Sequence, residues 1–317
     1  MRAVRFVVFL AFAVVALPRV GFAFDDFEGT RAQGMGGATR AWALGDSAIL
    51  LNPSGMTLAK VYNVEASYGY TSRMSGQFLH ASIVDSTSAS NLAAGAYYTY
   101  RSDESSFGVP GHGHEAGLSL ALPFGRYLSF GVTGKWLRLV DSDAVPDSTG
   151  GITFDAGATV RATDRFSLGV VGQNLRDLQT GQVPQLMSYG LAFLPLPTVT
   201  VAIDGVTTFT HDDVTHARGT GFRAGGEWSI MQRVAVRTGG GYDPNLGVGY
   251  VAGGLSALSE IGAVDLGVRG DVWTPYDWSR KNLWIGLSLR LFVGSAASGD
   301  EPDATPPSSS SSALPPL

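Results

Sequence analysis

The period-two alternation running from Val61 to Val293 leaves few folds open to this chain. Apolar and polar side chains alternate over segments of about ten residues, separated by Gly, Pro, Asn, Asp and Ser. The last segment shows the pattern. Leu283, Ile285, Leu287, Leu289, Leu291 and Val293 share one face; Asn282, Trp284, Gly286, Ser288, Arg290 and Phe292 share the other. A slip of one residue would carry Arg290 onto the apolar face, so the register is strongly specified. Such strands build either a soluble sandwich, apolar inside, or a membrane barrel, apolar outside.

Fourteen segments can be read: 62–73, 76–85, 91–101, 113–123, 127–140, 150–161, 165–174, 186–194, 197–209, 218–229, 233–242, 247–256, 263–273 and 282–293. The even total suits a single-chain outer-membrane barrel. Connections alternate in length. Gly125-Arg126, 162–164, Pro195-Leu196 and 230–232 are short, with 86–90 and 257–262 somewhat longer. Their alternates, 102–112, 141–149, 175–185, 210–217 and 274–281, are longer, except near Gly76 and Asp243. Short periplasmic turns and long outer loops predict this parity, with both mature ends in the periplasm.

One face of the segments carries Glu65, His80, Lys135, Asp155, Asp204, Arg223, Glu227, Arg237, Asp265, Arg269, Asp271 and Arg290. The other carries Phe130, Val132, Phe154, Val170, Val199, Val201, Ile203, Val264, Leu266 and Val268. A sandwich core would not hold that many charges; a polar lumen would. Tyr68, Tyr70, Tyr97, Tyr127, Trp136, Trp228, Trp273 and Trp284 fall mostly near segment ends, as interfacial girdles do. The expected fold is therefore all-β, a 14-stranded antiparallel transmembrane β-barrel over 62–293. Positive and negative lumen residues nearly balance, so strong ion selection is not expected, and a bracing network is the favoured role.

The ends differ. Residues 1–23 read as a signal peptide: Arg2 and Arg5, an apolar stretch from Phe6 to Leu17, and small residues in Gly21-Phe22-Ala23. That stretch would rise about 18 Å as a helix, short of a hydrocarbon core of about 30 Å. Residues 294–317, rich in Ser and Pro, form a tail that cannot bury apolar surface and is expected to be disordered in the periplasm. The 42 glycines favour sheet with close backbone approach, and the net charge of −5 gives no basic field for nucleic acid.

Residues 24–61 do not alternate. They contain Gly34-Met35-Gly36-Gly37-Ala38, a short Ala/Leu-rich helical stretch, and the turn signal Asn52-Pro53-Ser54-Gly55. The segment is long for a leader, and a fourteen-stranded lumen has room for it, so it reads as a plug or hatch. A phosphate loop is excluded, because Gly34–Gly37 lacks a preceding strand and a Lys.

The Gly-Met-Gly-Gly-Ala run, the helix starting near an acidic residue and the Asn-Pro-small-Gly turn before the first strand resemble the N-terminus of the FadL and PorV/PorQ group of outer-membrane proteins. Gly169-Val170-Val171-Gly172-Gln173-Asn174-Leu175 is similar to the Val-Gln-Asn-Leu run of PorV-like members, the nearer match. Ser54 stands where Ala is usual, and Gly45-Asp46 where an acidic pair is commoner. The resemblance implies a fourteen-stranded barrel, insertion by the barrel-assembly machinery, and a site in the outer-membrane lipid. It also implies an apolar pocket near the hatch, for which Met35, Trp42, Leu50, Leu51, Met56 and Leu58 are candidates, with hatch packing as their plain alternative.

Other chemistry is sparse. His112-Gly113-His114 and His211-Asp212-Asp213 with His216 are expected in outer loops without zinc-site spacing, and His80 has no evident catalytic partner. No enzyme activity, metal or cofactor is expected. Two functions follow from the resemblance: a passive channel or uptake protein for small, hydrophobic solutes gated by the hatch, or a non-transporting barrel that docks exported proteins.

Overall fold

The computed structural model describes residues 27–293 except 73–74, 90, 105–109, 143–144, 179–182, 210–218, 245–246 and 275–280. The expected signal peptide, the Ser/Pro tail and the His211–His216 cluster lie outside the described residues.

The chain forms a closed antiparallel barrel of fourteen strands in sequence order. These are β1 (Tyr62–Thr71), β2 (Gly76–Ala89), β3 (Leu92–Glu104), β4 (Pro110–Phe124), β5 (Leu128–Ser142), β6 (Val145–Thr163) and β7 (Phe166–Gln173). There follow β8 (Leu186–Leu196), β9 (Val199–Thr208), β10 (Thr220–Ile230), β11 (Val234–Asp243), β12 (Val248–Ser259), β13 (Gly262–Trp273) and β14 (Leu283–Phe292). β1 closes the ring on β14, with Glu65 opposite Arg290.

Every expected segment is a strand, but several run on through residues whose polarity marks them as loop. β3 and β4 reach Glu104 and Pro110, and β5 and β6 reach Ser142 and Val145. Beyond an apolar slab both faces of a hairpin meet water, so a polar, non-alternating sequence can keep its ladder. His112-Gly113-His114 consequently sits on β4, not in a loop. Pro195 lies within β8, at the register irregularity between Phe193 and Leu196, where a bulge tolerates its missing N–H.

The faces are inverted relative to a soluble protein. Leu118 is 71% exposed, Val132 54%, Phe154 50% and Ile203 53%, while Ser119, Thr133, Thr153, Asp204, Asp265 and Ser288 are at most 1% exposed. Large exposed apolar side chains on every strand are stable against hydrocarbon, not water. Aromatic rows edge this belt. Phe222, Tyr242 and Trp273 line up across β10 to β13, the last two with ring centres 6.0 Å apart. Tyr98, Ala116, Trp136 and Ile152 line up across β3 to β6.

Residues 27–60 lie inside. They form α1 (Thr30–Gly34), α2 (Asp46–Leu51) and a 3₁₀ turn (Pro53–Thr57), the last capped by Asn52, whose side chain accepts from the Ser54 N–H. The abundant glycines explain how this backbone fits. Directly paired glycines, Gly131/Gly157, Gly169/Gly190, Gly225/Gly239 and Gly254/Gly267, face inward. A Cβ on any of them would meet the inner segment: Ser54 and Pro53, Asn52, Arg40 and Ala41, Met35, Gly34 and Thr30 in turn. The segment thus follows a track worn by missing side chains. Where no backbone covers the glycines, the Trp284 ring lies over Gly69 and Gly286 instead.

Candidate functional site

Two charge assemblies fasten the inner segment to the wall. At the end of the barrel carrying the short turns, signs alternate across five strands. Arg290 pairs with Glu65 (3.3 Å) and Asp265 (2.7 Å), and Arg237 with Asp265 (3.2 Å) and Glu227 (2.5 Å). The Glu227 carboxylate then receives Arg31 of α1 through Nε (3.0 Å) and Nη2 (2.8 Å). Ser256 and Ser288 donate to Asp265 as well. Each buried charge has an opposite neighbour, which is the condition for keeping it ionised out of water. A bidentate arginine adds orientation to attraction. This assembly fastens α1 to the wall.

Farther toward the loops, Arg40 receives the second fastening. Its backbone N–H donates to Asp204 Oδ2 (2.9 Å), and its guanidinium reaches Gly37 O (3.0 Å) and Glu28 (3.1 Å). Arg223 also pairs with Glu28. Burial pushes the Glu28 carboxyl up, but Arg223 and Arg40 together outweigh it and hold it below the ordinary value. Six residues on, Asp46 meets His80 on β2, Oδ1 to Nε2 2.8 Å, and His80 Nδ1 bonds Thr99 (2.7 Å). Burial again raises the Asp46 carboxyl, and His80, with help from Ser82 and Arg290, more than offsets it and lowers it. Asp204 on β9 and His80 on β2 stand seven strands apart in a ring of fourteen. The chain from Arg40 to Asp46 therefore crosses the lumen.

On the loop side of this crossing lies a cavity of about 60 Å³. Its lining mixes apolar Phe27, Leu50, Leu51, Leu137, Leu139, Val183 and Leu186 with Glu28, Arg40, Arg101, Glu115, Lys135 and Arg223 and the amides of Gln173 and Asn174. The charges are mutually occupied. Arg101 bonds Glu115 (3.0 Å), which also accepts from Tyr97 (2.5 Å), and Lys135 bonds Asp155 (2.8 Å) and Asn174 (2.6 Å). The barrel wall beside the cavity is partly loop. β7 ends at Gln173 and meets β6 only from Ala156, and Leu175 N–H, Asn174 and Thr153 tie the loop onto β6.

Of the candidate pocket residues, Leu50 and Leu51 line this cavity. Met35, Trp42 and Leu58 pack with Ala192, Leu194 and Ala202; Met56 packs with Val84, Ala93 and Tyr97. The six do not converge on one pocket. Gly34, Met35, Gly36 and Gly37 sit against β10, β11 and β12, with Gly36 and Gly37 at positive φ. Asn52, Pro53, Ser54 and Gly55 are buried against β5 and β6. Arg269 stacks on Tyr250 (3.7 Å), whose hydroxyl donates to Gly36 O (2.9 Å), and Asp271 accepts from Asn282 N (2.9 Å). Gln173 and Asn174 are both buried and bonded within the barrel, to Leu50 O and Pro184 O.

Sequence reasoning gave no partner on the wall to Glu28, Arg31, Arg40 or Asp46 and no lumen role to Arg101 or Glu115. For the first four a signal existed: charges inside a Gly-rich segment assigned to a lumen require partners on the wall. His80 likewise gains in Asp46 and Thr99 the partners that its strand alone did not reveal.

No protein-family model and no curated protein matches the sequence. Solved structures do. The CymD monoaromatic hydrocarbon channel superposes with TM-score 0.64 at 14% identity, covering 85% of this chain and 98% of CymD. This chain shares its fold. The Pseudomonas putida toluene transporter TodX gives TM-score 0.62 at 12% identity, with 86% and 98% covered. A Pseudomonas aeruginosa FadL homologue gives 0.62 at 11%, with 87% and 98% covered. The architecture is that of FadL-type barrels.

Proposed function

We propose that this chain is a passive uptake channel for small hydrophobic solutes in the bacterial outer membrane, with residues 27–60 as its hatch and both ends in the periplasm. The observation that carries this reading is the crossing of the lumen by Arg40–Asp46 with a cavity of mixed polar and apolar lining on its loop side. A solute entering from the loops meets Leu50, Leu51, Leu137, Leu139, Val183 and Leu186, and then a segment held by discrete ion pairs and hydrogen bonds. Such contacts allow two arrangements, docked and displaced, without unfolding the wall. The names of the neighbours, hydrocarbon channel and toluene transporter, agree with an apolar solute of small size. No side chain here is asked to do covalent chemistry. Docking of exported proteins draws no support from Gln173 and Asn174, which turn inward.

A tether tests the hatch. The chain has no cysteine, so Ser54→Cys with Thr159→Cys, whose hydroxyls lie 2.7 Å apart, makes a single controllable disulfide. Uptake of N-phenyl-1-naphthylamine into asymmetric, lipopolysaccharide-faced proteoliposomes is expected to fall in the oxidised form and recover on reduction. Equal uptake in both forms rejects hatch movement. No protein-dependent uptake in either form rejects the channel.

A further inference from the structure

We infer that His112 and His114 on the outer face of β4 form a two-imidazole binding site for a divalent transition-metal ion of the Cu²⁺, Ni²⁺ and Zn²⁺ class. The site is independent of the lumen and of the uptake proposal. Residues two apart on a strand point the same way, and here Gly113 between them turns inward against Leu139 and Arg101. The two rings stand 5.6 Å apart, centre to centre, at 83°. With metal–nitrogen bonds of about 2.1 Å and about 1.1 Å from nitrogen to ring centre, two imidazoles on one ion at a tetrahedral angle have centres about 5.2 Å apart. Small side-chain rotations close that gap.

The surroundings fit a nitrogen-ligated ion. Tyr98 Oη lies 2.6 Å from His114 Nδ1. With Nδ1–H donating to that oxygen, the Nε2 lone pair of His114 is free, the arrangement by which outer partners orient metal-binding histidines. The Tyr100 ring packs at 5.3 Å from the same imidazole and holds its plane. Both histidines are half-buried and lie on the loop side of the Tyr98–Trp136 aromatic row, where water and ions reach them. Across the strand pairs, His114 faces Tyr100 and Arg138, and His112 faces Ser102 and Val140. No carboxylate stands in those pairs, and the Arg138 charge opposes every divalent cation alike, so the choice among them rests on the donor atoms. Oxygen-seeking Ca²⁺ and Mg²⁺ are therefore poor candidates, whereas imidazole selects Cu²⁺, Ni²⁺ and Zn²⁺, with Cu²⁺ tightest. Water completes the coordination shell.

The test uses the full chain in detergent micelles titrated with Cu²⁺. Electron paramagnetic resonance at substoichiometric metal is expected to show a site with two nitrogen donors. His112→Ala and His114→Ala are each expected to weaken it at least tenfold and leave one donor, while changes at His211 and His216 leave it intact. Tyr98→Phe is expected to weaken it severalfold while keeping both nitrogens. Both histidines are on the outer surface, so heat-modified gel mobility should report an unchanged barrel in every variant. A two-nitrogen signal that survives the double His112→Ala/His114→Ala variant, or a native signal with one nitrogen only, overturns the assignment.

Discussion

Asn52 is where one side chain holds the inner segment to the wall, and removing it has a calculable consequence. Asn52 is wholly enclosed, at 0% exposure. Its amide nitrogen donates to Arg40 O (2.8 Å) and Thr159 Oγ1 (3.2 Å), and its oxygen accepts from Ser54 N (3.3 Å) and Ser54 Oγ (2.7 Å). In Asn52→Ala the Ser54 and Thr159 hydroxyls still have each other at 2.7 Å. The Arg40 carbonyl loses this donor and the Ser54 N–H this acceptor, in a place without room for bulk water. Stranding two buried backbone groups costs about 1–3 kcal/mol each, so about 2–6 kcal/mol in all. Docking of residues 46–58 weakens by that amount, and the undocked population rises by roughly thirtyfold to ten-thousandfold. Hydrogen exchange read by mass spectrometry on peptides from 46–60 should accelerate accordingly, while β1–β14 keep their protection. Thr159→Val, which leaves Asn52 its backbone partners, should accelerate exchange by roughly tenfold or less. An Asn52→Ala acceleration below tenfold would refute the reasoning.

Three further outcomes are expected. Leu118→Arg should destabilise the bilayer-inserted barrel by about 2–4 kcal/mol if Leu118 lies near the midplane, measured by urea unfolding in lipid vesicles; a change within about 0.5 kcal/mol, as for an exposed residue in water, contradicts a lipid-facing belt. Arg237→Met removes the cation shared by Glu227 and Asp265, which keep Arg31 and Arg290 respectively. It should cost about 1.5–3 kcal/mol, the worth of a hydrogen bond to a charged group, whereas Arg126→Met on an exposed turn should be silent in the same assay. The Glu28 carboxyl is held below its ordinary 4.5 in the docked state, so its contribution is complete above that value and is lost as pH falls through the lowered one. Protease access to the inner segment should therefore increase on acidification below about pH 4.5, and Glu28→Gln should flatten that part of the profile; an identical profile in the variant would dismiss Glu28 as the group responsible.

The alternation alone carried strand number, order and facing, because a lipid-facing barrel must repeat the same two-sided pattern on each crossing. The inward setting of Glu65, Asp265 and Arg290 followed from that parity, and so did the outward setting of Trp136 and Trp273. Tyr97 and Trp284, read with the same girdle, turn instead into the lumen, Tyr97 to bond Glu115 and Trp284 to cover Gly69 and Gly286. Where both faces meet water the pattern carries no information, and there the loop placement of His112 and His114 was wrong.

The inner segment was legible only as a Gly-rich, non-alternating insert ending in Asn52-Pro53-Ser54-Gly55. Its path belongs to the tertiary structure. The contacts that set it join residues more than a hundred positions apart, Arg40 to Asp204, Arg31 to Glu227 and Asn52 to Thr159, and no local period records them. The same holds for the cavity, whose apolar lining residues include Leu50 of α2, Leu139 of β5 and Leu186 of β8. The chain by itself determined that lipid lies outside and charge inside, because that choice is made residue by residue. Which charges meet, and what crosses the lumen between β9 and β2, was decided only once closure of the ring brought distant strands face to face.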